Sequence, residues 1–265
     1  MKKDFRERLD VVFAYGVTQK KIGLVDGSVV FEEAAENFGV DGVSVFKKIV
    51  EYLKSKNVFN CTTIDGDFVS LDGFYSKIKK SGKWVIPVNA GGMSFRFGSV
   101  LDREHCFLVV QEIDFNLNTN WDELVSIFCD EIFFVQAWVS NAEFNFWQNQ
   151  TDVDLFVKKG VSQSDLKIIS NGLPPPLDIS IVDISSNPGR RILRDGYVEA
   201  IGRKMWLSDL FWKPVGFERK IKIFKNDNFI VREKGSIVIV ETDGICFLDD
   251  ASRGKQLSLR EALYG

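Results

Sequence analysis

The chain has 265 residues, 45% hydrophobic and 27% charged, with a net charge of −3; this is globular usage and excludes a disordered or low-complexity protein. Four widely spaced cysteines (Cys61, Cys106, Cys129 and Cys246) form no C-x-x-C pair, which excludes zinc-ribbon and thioredoxin-type sites. A single histidine, His105, excludes motifs that need two on one helix, and no apolar run reaches the roughly 20 residues that span a bilayer.

The charged opening Met1-Lys-Lys-Asp-Phe-Arg-Glu-Arg lacks the apolar stretch of a signal peptide, so a cytoplasmic protein is expected. Phe31-Glu-Glu-Ala-Ala-Glu-Asn-Phe predicts a short helix, stopped by Gly39 and Gly42. Val43, Phe46, Ile49, Val50 and Leu53 then recur as the stripe of an amphipathic helix, and Asp65-Gly66 predicts a hairpin turn. Helix, glycine turn, helix and hairpin together outline a winged helix-turn-helix. Against DNA contact, the second helix begins Asp41-Gly-Val-Ser-Val, where base recognition needs polar or basic side chains. Asn89-Ala-Gly-Gly reads as a joint. The expected organisation is an N-terminal winged-helix-like module over 1–90 and a larger region over 91–265, with one continuous domain also open.

In the second region, Phe107-Leu-Val-Val-Gln-Glu-Ile-Asp-Phe predicts a strand, and Asn120 caps a helix from Trp121 to Glu131. Ile132 to Val139, apolar on both alternating faces except at Gln136, predicts a central strand. Strand, helix and strand in this order predict an α+β fold, a mixed sheet with flanking helices. Leu173-Pro-Pro-Pro176 breaks the chain. Short β-like runs follow at Ile179–Ile184, Tyr197–Ile201, Ile221–Phe224, Phe229–Arg232 and Ile237–Glu241, with a hairpin turn at Lys234-Gly235 and a closing helix from Leu257 to Tyr264. Most of the 23 phenylalanines, which have no polar handle, must be buried or covered.

No G-x-S-x-G elbow, P-loop or G-x-G-x-x-G string is present. His105 and Cys106 are adjacent on a strand, so their side chains point to opposite faces and do not pair as base and nucleophile. Asp65-Gly-Asp67 and Asp152-Val-Asp154 lack the further ligands of a cation loop. No catalytic residue, cofactor or metal is therefore expected.

Charge is unevenly spread. Glu104 to Val157 contains no Lys or Arg and ten acids, whereas Asn187 to Lys234 holds twelve Lys/Arg against six Asp/Glu. The acidic stretch is either a solvated surface packed beside the basic region or a face presented to a basic partner, where charge steers encounter and aromatic rings supply affinity. On the second reading the partner-binding residues are Asp122, Glu123, Asp130, Glu131, Glu143, Trp147, Asp152 and Asp154.

Asn187-Pro-Gly-Arg-Arg-Ile-Leu-Arg-Asp-Gly-Tyr-Val-Glu-Ala-Ile-Gly202, followed by Met205-Trp206 and Phe211-Trp212, resembles a run in bacterial immunity proteins encoded beside polymorphic (contact-dependent or type VI secreted) toxins. The resemblance covers a small part of the chain and carries no functional residues across. It implies a non-catalytic cytoplasmic protein that binds and neutralises a cognate toxin; the acidic stretch adds that the toxin has a basic surface, as a nuclease has. Arg190, Arg191 and Arg194 either grip an anion through forked hydrogen bonds or serve as internal partners of the acidic stretch. Two other functions stay open: a DNA-binding regulator built on the N-terminal module, which the acidic composition disfavours, and a carboxylate-dependent hydrolase.

Overall fold

Every residue from Phe134 to Asn141 is buried, as a strand covered on both faces must be, and this strand lies inside a large sheet. The computed structural model describes residues 5–16, 21–25, 28–31, 38–100, 103–115, 117–242 and 252–265. Its strands are β1 (Glu7–Gly16), β2 (Lys21–Val25), β3 (Ser28–Phe31), β4 (Phe38–Gly39), β5 (Asn60–Thr63), β6 (Phe68–Ser70), β7 (Val88–Ala90), β8 (Met93–Val100) and β9 (His105–Glu112). They continue with β10 (Phe134–Asn141), β11 (Ile168–Ser170), β12 (Ser180–Val182), β13 (Ile192–Arg194), β14 (Tyr197–Glu199), β15 (Lys204–Leu207), β16 (Ile230–Lys234) and β17 (Ile237–Glu241). The helices are α1 (Gly42–Ser55), α2 (Leu71–Ser81), α3 (Trp121–Cys129), α4 (Ala142–Asn149), α5 (Val153–Lys158), α6 (Asp209–Val215), α7 (Phe217–Phe224) and α8 (Arg253–Tyr264).

The main sheet runs β16-β17-β15-β10-β1-β9-β8-β7-β5-β6, with β4 also on β1. The fold is α+β, but each pairing in this sheet is antiparallel, so the expected mixed sheet is corrected to an antiparallel one. The reason is specific. The β9–α3–β10 unit does bring two strands back in one direction, yet β1 lies between them and is antiparallel to both. A strand from the start of the chain thus occupies the slot a parallel neighbour would have taken.

Helices α1, α2 and α3 cover one face. Leu9, Val11, Phe13, Phe95, Leu108 and Val110 of the sheet pack there against Phe46, Ile49, Leu53, Leu71, Phe74, Leu124 and Phe128. Phe13 meets the edge of Phe128 at 5.5 Å between centroids, a favoured geometry for rings. On the opposite face, Val12, Trp138, Met205, Leu207, Val238 and Val240 pack against Phe211, Trp212, Ile223, Leu259 and Leu263 of α6, α7 and α8. A bulge makes this division workable. Val12 pairs with Gln136 and Phe13 with Phe134, which leaves Val135 as the extra residue, turned into the second core.

Helix α1 forms where the apolar stripe predicts it, capped by the Asp41 carboxylate on Ser44 N–H. The expected winged helix does not follow from it. The α1 stripe is spent on the sheet, and the β5–β6 hairpin is the outermost pair of that same sheet. Gly91 and Gly92, both at positive φ, form the two-residue turn of the β7–β8 hairpin and carry the sheet from one predicted region into the other. The helix expected from Phe31 to Phe38 falls mainly on residues outside those described; Phe31 itself ends β3 and Phe38 begins β4. Ile221–Phe224, expected as a strand, is the last turn of α7. Over four residues its alternation suits a strand, but Phe217, Ile221 and Phe224 repeat at helical spacing.

Gly202 shows how tightly the two halves meet. A Cβ there would clash with the Val139 carbonyl oxygen, which accepts the Arg203 N–H at 2.9 Å. Gly202→Ala should cost about 1–3 kcal/mol by forcing β10 and this segment apart. Urea denaturation would measure the loss, and an unchanged midpoint would mean the contact yields freely.

Candidate partner-binding surface

The eight candidate residues form two groups on opposite faces of the sheet. Asp122, Glu123, Asp130 and Glu131 belong to α3 and its end, whose Trp121, Leu124, Val125 and Phe128 fill the first core. Glu143 and Trp147 lie on α4, whose Phe144 packs on the second core, and Asp152 and Asp154 begin α5.

The α3 group is largely engaged within the chain. Asn120 caps the helix through Glu123 N–H, and two acids occupy the first turn, where the helix dipole favours them. Asp122 pairs with Lys204 at 2.7 Å, Glu123 with Lys56 at 2.5 Å and Glu131 with Lys48 at 2.7 Å. Lys48 comes from α1 and Lys56 is its C-cap residue, so the basic side of the helix weighed for DNA contact holds carboxylates. Asp130 has no ion pair among the described residues. With Asp122, Cys129 and Lys234 it borders a groove of about 380 Å³ between α3 and the β16–β17 turn. Burial first, and then the charge of Asp130, push the Cys129 thiol up to about 11, and burial pushes Cys106 to about 12. Both are therefore uncharged near neutral pH. Cys246 lies outside the described residues.

His105 and Cys106 diverge as strand alternation requires. Cys106 lies in the first core with its thiol toward the Val40 carbonyl, and His105 Nδ1 meets the Arg103 carbonyl at 2.9 Å. Glu112, one of the ten acids, is fully buried and accepts from Glu7 N–H and the Thr119 hydroxyl. Among the described residues no group of three or more His, Cys, Asp or Glu side chains is placed to hold a metal ion. No described helix is long and apolar enough to cross a membrane.

The second group opens an arm. From Phe146 to Ile181 no side chain is fully buried. The arm holds the C-terminal half of α4, then α5 and the β11–β12 hairpin with the proline run at its tip. Asn141 Oδ1 caps α4 through Phe144 N–H at 2.7 Å, and Asp152 Oδ1 caps α5 through Asp154 N–H at 2.8 Å. Trp147 meets the rings of Phe146 and Phe156 edge-on at 5.1 and 5.2 Å, with the Lys159 ammonium 3.9 Å from its centroid. This ring cluster braces α4 against α5.

Along the arm Phe146, Val157, Ile169, Leu173, Leu177 and Ile179 are all exposed, Leu177 by 62%. Glu143, Asp152 and Asp154 have no ion pair among the described residues. Lys167, in contrast, is held by Asp183 at 2.6 Å.

The arm is clipped to the body by the Asn187-Pro-Gly turn, whose role sequence inspection did not identify. Asn187 Nδ2 donates to the Gln148 carbonyl at 3.0 Å, Gly189 N–H to Gln148 Oε1 at 3.0 Å, and Arg191 N–H to Asn149 Oδ1 at 2.6 Å. The three nearby arginines stay inside the chain, yet none pairs with the acidic stretch. Arg190 bonds the Asn187 carbonyl, Arg191 faces Asp10, and Arg194 pairs with Glu199. No protein-family model, curated protein or solved structure matches this chain.

Proposed function

We propose that this chain is a non-catalytic inhibitor of the immunity type, which docks on a cognate toxin in the cytoplasm through the 146–181 arm. One observation carries the reading: a long excursion with its own helix and hairpin buries none of its side chains fully and displays six large apolar ones. Large exposed apolar side chains concentrated in one excursion of the chain fit a surface that a partner covers. Around them Glu143, Asp152 and Asp154 keep free charge, which fits a basic partner such as a nuclease domain. Carboxylates at the rim steer the encounter, and burial of the apolar centre holds the complex. Asp122, Glu123 and Glu131, already paired with lysines, contribute less. Trp147 acts by holding α4 and α5 in place.

The test is co-expression with the product of the adjacent gene. That product should arrest growth when expressed alone and be neutralised by this chain. The purified pair should associate one to one, and more slowly as ionic strength rises from about 0.01 to 0.15 M, where the Debye length falls from about 30 to 8 Å. Failure to neutralise would remove the function. A rate indifferent to salt would remove the acidic rim from it.

A further inference from the structure

Strand register lines up four side chains across the second face of the sheet. Arg96 of β8 is opposite Val109 of β9, Val109 is opposite Asp10 of β1, and Asp10 is opposite Trp138 of β10. The next row is Gly98, Phe107, Val12 and Gln136. On the β8–β9 side of β1 the second core gives out: Arg96 is exposed, and Val100, Phe107 and Val109 are only partly buried. The β13–β14 hairpin lends Leu193 and Val198 as a wall, leaving a recess of about 330 Å³.

The floor of this recess is apolar and its charge is one-sided. Phe107 lies across Gly98, where a Cβ would come within 2.7 Å of the ring, so the ring rests on the strand next to it. Asp10 is the one acid among the lining residues, against Arg8, Arg96 and Arg191. Arg8 grips Asp10 with two hydrogen bonds, at 2.6 and 2.8 Å, and Arg191 approaches the same carboxylate at 3.3 Å. Arg96 has no hydrogen bond or ion pair among the described residues. Strand spacing puts the Arg96 and Asp10 backbones roughly 10 Å apart across Val109. Two positive charges are therefore left over beside an apolar floor, and those of Arg8 and Arg191, mostly covered by protein, are less screened than that of the exposed Arg96.

We propose that this recess binds a small organic anion: a carboxylate or phosphate held between Arg96 and the Arg191–Arg8 pair, with an apolar body lying on Phe107, Val109 and Trp138. Arginine forks match both head groups. The size and mixed lining suit a small ligand. This assignment is independent of the inhibitor reading.

Calorimetric titration of the full chain with four probes tests it: benzoate, phenyl phosphate, inorganic phosphate and benzamide. Benzoate or phenyl phosphate should bind saturably, and the tighter of the two identifies the head group. Inorganic phosphate, which lacks the body, and benzamide, which lacks the charge, should each bind at least about tenfold more weakly. Arg96→Met should weaken the better probe by about tenfold or more, with the thermal midpoint unchanged because Arg96 is exposed and unpartnered. The proposal is overturned if neither ring-bearing anion binds, if benzamide or inorganic phosphate binds as tightly, or if Arg96→Met leaves the affinity intact.

Discussion

Asp10→Ala should lower the unfolding free energy by about 3–5 kcal/mol, the cost of removing one partner from a buried charge cluster. The Asp10 side chain is only 4% exposed and faces both Arg8 and Arg191. Truncation would leave two half-buried guanidinium groups without their counter-charge, on β1 in the middle of the sheet. The acid limb of stability should change with it. Burial pushes the Asp10 carboxyl up, but the positive charges of Arg8 and Arg191 outweigh that and hold it below the ordinary value. A carboxylate lowered on folding contributes stability that is full above its unfolded pKa, about 3.9, and is lost as pH falls through the folded value. Wild type should therefore lose stability steeply as pH falls below about 4, and Asp10→Ala should lose less of it there. Urea denaturation from pH 7 to pH 2 measures both. A loss under about 1 kcal/mol at pH 7 would show that the cluster is already hydrated.

Excising the arm should do the reverse, leaving the fold and abolishing partner binding. Val182 N–H bonds the Thr151 carbonyl at 2.9 Å, so the part of the arm beyond α4 begins and ends at neighbouring points. Replacing residues 152–181 by a short turn removes no fully buried side chain. A shorter loop also costs less to close, by (3/2)RT times the logarithm of the length ratio, so stability should change by less than about 2 kcal/mol. Affinity for the toxin should fall more than about 100-fold, the scale of losing a central cluster of contacts. A variant that folds and still neutralises the toxin would place the contact surface elsewhere.

Sequence pattern revealed those parts of the fold whose causes are local. The α1 stripe, the Asn120 cap of α3, the doubly buried β10 and the turns at Asp65-Gly66 and Lys234-Gly235 each follow from residues within one element. The central place of β1 did not. Leu9, Val11 and Phe13 alternate with Arg8 and Asp10, a period-two signal, but the charges suggest a solvent face. Asp10 is nonetheless buried, with Arg8 beside it and Arg191, 181 residues away, as counter-charges. The split of the acidic stretch was hidden for a similar reason. Asp122, Glu123 and Glu131 find their lysines on β15, at the C-cap of α1 and on α1, and no spacing within 104–157 announces this. Seen along the chain, the arm is a run of short unremarkable elements. Its meaning lies in what fails to cover it.

Amide hydrogen–deuterium exchange of the free chain and of its complex with the toxin tests the arm most directly. Thinly covered segments exchange fast and gain protection when a partner seals them. The prediction is slowed exchange concentrated between residues 143 and 181, with α3 unchanged. Protection over 121–131 with none along the arm would contradict it.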